Sequence, residues 1–197
     1  MKKVDAIISF IIGFLIGLFF FISLNIIEIR IPFGWLLLIV FPPLTLTGML
    51  VAGLIGRKFL VIYQVAKFVL VGALNTFVDL GILNILIWIS GIASGSWYSV
   101  FKGISFLFAT INSYFWNKHW TFEKSRRVFV LREFAKFLLV ITIGLLINVG
   151  IASVVVNIIG PQFGLTEKIW ANIGAFTATL IAWIWNFSSS KFIVFKV

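Results

Sequence analysis

The chain has 197 residues, of which 61% are hydrophobic and only 11% charged, against about 25% charged in an ordinary soluble domain; this excludes a soluble globular domain. Its formal charge of +10 comes from 16 Lys and Arg against 6 Asp and Glu, a balance that signals nucleic acid in a soluble protein and topology in a membrane protein. With no cysteine in the chain, disulfides, zinc ribbons and thiol catalysis are excluded.

Six apolar runs approach the roughly 20 residues needed to cross about 30 Å of hydrocarbon as helices. They predict spans at 6–27, 34–55, 68–89, 97–116, 137–159 and 169–187. The first follows Met1-Lys2-Lys3 as a signal peptide would, but it exceeds a typical h-region, and Ser23-Leu24-Asn25 offers no small-residue cleavage site. It is therefore read as a retained helix. Pro42 and Pro43 are expected to kink the second span, since neither can donate an intrahelical hydrogen bond. Gly13 and Gly17 in the first span, and Gly53 in the second, offer small-residue surfaces for close helix approach.

With the N-terminus in the cytoplasm, 13 of the 16 basic residues fall on that side, and only Arg30, Lys102 and Lys168 lie towards the other. The positive-inside rule then places both termini in the cytoplasm. The charge is accounted for by topology and anionic lipid headgroups, without nucleic acid. Segment 122–136 is expected along the cytoplasmic interface, because Val128, Leu131 and Phe134 share a helical face while Arg126, Arg127 and Arg132 reach water; a solvated basic loop is the alternative.

From residue 61 onward the chain contains an internal repeat. Residues 61–89 realign 69 positions later, so that Ala66-Lys67-Phe68 recurs as Ala135-Lys136-Phe137 and Gly81-Ile82 as Gly150-Ile151. The following span realigns at an offset of 73, where Lys118 meets Lys191 and Ala109 meets Ala182; a four-residue insertion near Pro161 to Gly164 explains the change. Two spans per repeat return the chain to its starting side, so the repeats are parallel. The expected fold is an all-α polytopic membrane helix bundle of six transmembrane helices. An N-terminal two-helix hairpin, residues 1–56, precedes a four-helix domain, residues 57–197, built from two parallel two-helix repeats.

Polar side chains within the apolar runs are the functional candidates, because Asp or Lys at mid-helix costs about 2.5–3.5 kcal/mol on the insertion scale. Asp79 falls at the centre of the third span, with Asn148 as its repeat counterpart and Asn75 one turn before it. Asn112 lies at a similar depth in the fourth span, and Lys102 lies roughly 7 Å to the external side of that span's centre by helix rise. These groups are read either as a polar cleft at the midplane or as interhelical hydrogen bonds that hold helices together at about 0.6 kcal/mol each. Trp116, Trp120, Trp183 and Trp185 are read as aromatic-belt anchors or as sugar-stacking platforms. No catalytic constellation or metal-ligand cluster emerges, His119 is the single histidine, and the chain is expected to be neither an enzyme nor cofactor-dependent.

Phe68 to Gly72 and Asn75-Thr76 to Asp79, followed by Asn112-Ser113-Tyr114-Phe115-Trp116-Asn117-Lys118-His119-Trp120-Thr121-Phe122 and finally Trp185-Asn186-Phe187 with Lys191 and Val194-Phe195, resemble the GtrA family over about residues 60–197. The N-terminal hairpin exceeds that family's four-span core, and Phe192-Ile193 stand where it usually has a basic and an aromatic residue. The resemblance implies movement of a polyprenyl-phosphate-linked monosaccharide to the outer leaflet of the cell membrane, for polysaccharide or teichoic-acid glycosylation. It also admits a non-transporting scaffold for a glycosyltransferase, similar to GtrA-like regions attached to some polyprenyl-sugar synthases. The candidate substrate-binding set is Asn75, Asp79, Lys102, Asn112, Asn117, Lys118, Trp120, Asn148 and Asn186, with Arg126, Arg127 and Arg132 as a cytoplasmic basic cluster. A homo-oligomer is expected, since four spans hardly enclose a lipid headgroup.

Overall fold

The computed structural model describes residues 2–56, 60–121 and 131–189. Six long helices follow from the apolar runs: α1 (Lys3–Ile26), α2 (Leu37–Ile55), α3 (Leu60–Ser90), α4 (Gly95–Trp116), α5 (Leu131–Ser153) and α6 (Glu167–Ser189). A short 3-10 turn, Gly34–Leu36, leads into α2, and α4 and α5 widen into π-helical turns at Asn117–Thr121 and Val154–Ile159. The described residues are all-helical, without strands. Four stretches among them are long and apolar enough to span a membrane: Lys3–Ile26, Gly34–Ile55, Ile62–Ser90 and Thr142–Ile159. Helices α4 and α6, with 22 and 23 residues, have comparable length but carry more polar side chains. Large apolar residues such as Ile7, Phe10, Leu54, Val69, Phe108 and Leu146 point outward, as expected where the surrounding medium is lipid.

One expectation is revised. Residues 131–136, read as part of an interfacial segment, form the first turns of α5, because Leu131-Arg-Glu-Phe-Ala-Lys136 contains good helix formers and no breaker before the apolar run. Residues 122–130, with Arg126 and Arg127, lie outside the described residues. Helix α2 continues through Pro42 and Pro43, and the single Thr45 hydroxyl proton has the Ser9 carbonyl at 2.8 Å and the Phe41 carbonyl at 3.0 Å as acceptors.

The chain divides into two compact units, Met1–Gly81 with Ala109–Ser125, and Ile82–Phe108 with Arg126–Val197. In the first, α1 and α2 pack along each other. A Cβ placed on Gly17 would lie 2.5 Å from the Leu37 carbonyl oxygen, and one on Gly13 would lie 2.6 Å from that of Phe41, so the two backbones approach as closely as small residues allow. Phe20, Phe41 and Phe77 form a ring cluster with centroids 5.1–6.3 Å apart. Ile12, Ile16, Met49, Val71 and Leu74 complete this core.

In the second unit, Ala171, Ala175, Ala178 and Ala182 form a buried stripe along α6, and α6 packs on α5. Gly91 and Gly160, equivalent at the offset of 69, follow α3 and the π turn of the second repeat with φ of 72° and 69°. Only glycine takes that left-handed conformation without strain. Asn84 and Asn172 exchange two hydrogen bonds of 2.7 Å, linking α3 to α6. Their repeat equivalents, Ser153 and Ser99, lie 2.6 Å apart, linking α5 to α4. The first helix of each repeat is thus fastened to the second helix of the other.

Candidate functional site

Helix α1 begins at Lys3, earlier than the apolar run suggests, and this carries Asp5 into the helix. Its side chain is buried in the first unit with three donors around it. Lys67 Nζ lies 2.7 Å from Asp5 Oδ1, Trp120 Nε1 donates to the same oxygen at 2.8 Å, and the Tyr63 hydroxyl donates to Oδ2 at 3.0 Å. Lys67 also lies 5.1 Å from the Tyr63 ring centroid and 5.3 Å from that of Trp120, and its Nζ reaches the Trp120 carbonyl at 3.5 Å. Asp5, Lys67 and Trp120 are 3%, 4% and 3% exposed. With so little solvent, charge-assisted bonds are stronger than at a surface, and each partner depends on the other to offset its desolvation.

The same unit carries a second polar chain. Asn112 Nδ2 donates to Asn75 Oδ1 at 2.7 Å, and Trp116 Nε1 donates to Asn112 Oδ1 at 3.1 Å. The rings of Trp116 and Trp120 meet edge to face with centroids 6.3 Å apart, so the chain leads from the asparagine pair to the Asp5 cluster. In the π turn, Asn117 Nδ2 donates to Ser113 Oγ at 3.1 Å. Asn117 Oδ1 and Thr121 Oγ1 are buried without a hydrogen-bond partner among the described residues. Asp79, 3% exposed, belongs to this unit too.

Lys102 and Asn148 belong to the second unit and are 0% and 1% exposed. Asn148 Oδ1 has no hydrogen-bond partner among the described residues. Of the sequence candidates, the structure brings Asn75 and Asn112 into direct contact and connects Trp120 to them through Trp116. The side chains of Lys118, Arg132 and Asn186 lie outside the described residues.

Asp5, Tyr63 and Lys67 were not among the candidates. Asp5 falls one position before the predicted first span, and Lys67 counts in sequence among the charges that orient the protein, yet both are buried. Trp120, read as a belt anchor or a stacking platform, is buried and uses its indole N–H on Asp5. The available signal was that Asp5 is the sole acid before Glu28 and opens an apolar run.

The GtrA/DPMS transmembrane domain family matches residues 67–195. The chain belongs to this family. The match begins at Lys67 and includes Trp120, Asn75, Asn112, Asp79, Lys102 and Asn148, whereas Asp5 and Tyr63 precede it. Comparison with curated proteins and with solved structures gave no match. Membership makes this a multi-pass membrane protein of the kind associated with glycosylation pathways.

Proposed function

We propose that this GtrA-family protein moves a polyprenyl-phosphate-linked monosaccharide from the cytoplasmic to the outer leaflet, without catalysing a reaction on it. The observation that carries this reading is the burial of Asp79, Lys102 and Asn148, at 3%, 0% and 1% exposure, in a chain that spans lipid. Each charge costs about 2.5–3.5 kcal/mol at mid-helix, an expensive way to fasten helices that hydrogen-bonding groups hold at about 0.6 kcal/mol per contact. A prenyl tail can remain in lipid during transfer, so only the phosphate and sugar need polar groups along the way. Carboxamides serve both donors and acceptors among sugar hydroxyls, and Lys102 offsets phosphate charge. Asp79 suits sugar hydroxyls rather than the phosphate, which it would repel.

The positive-inside bias supports cytoplasmic termini, and a homo-oligomer would supply walls that four core spans lack. The test is flipping of a labelled polyprenyl-phosphate sugar in reconstituted vesicles. Asp79→Asn and Lys102→Ala are expected to slow its exposure on the far leaflet; wild-type rates in both variants would overturn the assignment.

A further inference from the structure

The three donors around Asp5 constitute an anion site. A lysine ammonium, an indole N–H and a phenol converge on one buried carboxylate, and two of these donors, Lys67 and Trp120, lie within the part of the chain that the family match covers, while the anion comes from the preceding hairpin. We propose that Lys67, Trp120 and Tyr63 bind the phosphate of a polyprenyl-phosphate lipid, and that Asp5 is an intramolecular occupant which this phosphate displaces.

Charge and location support the exchange. A sugar-bearing polyprenyl phosphate is a phosphodiester with one negative charge, as a carboxylate has, so substituting one for the other preserves the balance with Lys67. Lysine acts as a point-charge phosphate binder. Asp5 lies in the first turn of α1, at the end of a membrane helix, the depth at which a lipid phosphate rests while its chain stays in hydrocarbon.

A second, independent observation lies beside the pocket. Trp120 sits in the π turn Asn117–Thr121, a geometry that recurs at functional sites. In that turn Thr121 is 2% exposed, and its Oγ1, like Asn117 Oδ1, has no hydrogen-bond partner among the described residues. Buried polar atoms without partners are costly unless a ligand satisfies them, and hydroxyls attached beyond a phosphate would do so.

The choice of lipid rests on the flippase reading, but the site is tested by binding alone. The full chain in phosphatidylcholine nanodiscs is titrated with a fluorescent polyprenyl-phosphate monosaccharide, using inorganic phosphate, phosphatidylglycerol and the neutral polyprenol as competitors. Asp5→Asn is expected to bind about tenfold more tightly than wild type, equivalent to 1.4 kcal/mol. Lys67→Gln is expected to abolish the gain in the double variant, and the polyprenol should not compete. Equal affinities in wild type, Asp5→Asn and Lys67→Gln would overturn the proposal. Competition by inorganic phosphate or phosphatidylglycerol as strong as that of the polyprenyl-phosphate monosaccharide would overturn the lipid assignment.

Should Asp5→Asn fail to fold, wild-type protein supplies the test. Amide exchange in the first turns of α1 should rise when the polyprenyl-phosphate monosaccharide is added and stay unchanged with the polyprenol; no rise would overturn the proposal. Lys67-dependent binding without any flipping would leave the anion site standing and remove the transport reading, whereas flipping with Lys67-independent binding would do the reverse.

Discussion

The Tyr98 hydroxyl donates to the Ala171 carbonyl at 2.9 Å, and the two residues hold the same position in successive repeats, at the offset of 73. A contact between equivalent positions falls where the local symmetry relating two repeats brings each onto the other. The Asn84–Asn172 and Ser99–Ser153 pairs stand to it as symmetry mates. Within the second unit, the portions of the two repeats that it contains are therefore interleaved, and each satisfies polar groups of the other.

Tyr98→Phe removes the donor and keeps the ring. Tyr98 is fully buried, so the Ala171 carbonyl loses this partner, and the expected loss is about 0.6–1.7 kcal/mol, the range for polar contacts between membrane helices. Unfolding in mixed micelles measures it. Asn84→Ala, which breaks two reciprocal bonds, is expected to cost more than Tyr98→Phe; an equal or smaller loss would deny the asparagine pair a structural role.

The contact between α1 and α2 makes a sharper steric prediction. Gly17→Val would force a branched side chain against the Leu37 backbone, since even a Cβ would lie 2.5 Å from its carbonyl oxygen. Backbone cannot rotate away as a side chain can, and the overpacking cost is expected at the upper end of about 1–3 kcal/mol. Gly48→Ala, in the same hairpin but with nothing within 4 Å of the added Cβ, should be neutral or slightly stabilising through helix propensity. Thermal unfolding of the two variants side by side checks the contrast.

Helix positions were legible because hydrocarbon demands long apolar runs with every backbone group paired internally; the predicted 34–55 and 97–116 fall on α2 with its leading turn and on α4. The repeat was legible because equivalent helices keep equivalent residues, and Gly91 and Gly160 show that it extends to loop geometry. Partner choice was not. Offsets of 69 and 73 say that Asn84 corresponds to Ser153 and Asn172 to Ser99, but not that bonds run between repeats. The Asp5–Lys67 pair was hidden for a related reason: charge counting treats a basic residue at a helix end as solvated, and only three-dimensional packing decides whether an acid from a distant helix meets it.

That pair yields a prediction about stability. Removing one member of a buried ion pair leaves the other charge uncompensated and costs about 3–5 kcal/mol, whereas replacing both with apolar side chains is often neutral or stabilising. Lys67→Met is therefore expected to destabilise strongly, and Asp5→Leu with Lys67→Met to recover much of the loss. A double-mutant cycle by thermal unfolding measures the coupling. If the double variant is as unstable as the sum of the singles, the ion pair contributes no coupling and the carboxylate is held by Trp120 and Tyr63 instead.

Asn148 separates transport from folding most cleanly. Its Oδ1 is buried without a partner among the described residues, so the carboxamide oxygen carries a desolvation cost that no hydrogen bond in the described fold offsets. Asn148→Leu, similar in volume, removes that acceptor, and thermal stability is expected to stay level or rise by about 1 kcal/mol. If the acceptor serves a sugar hydroxyl in passage, the same substitution should slow flipping in vesicles severalfold. A variant that is as stable as wild type but slow assigns Asn148 to the transported headgroup. One that loses stability and transport together assigns it to helix packing, which would leave Asp79 and Lys102 as the groups on which the transport reading depends.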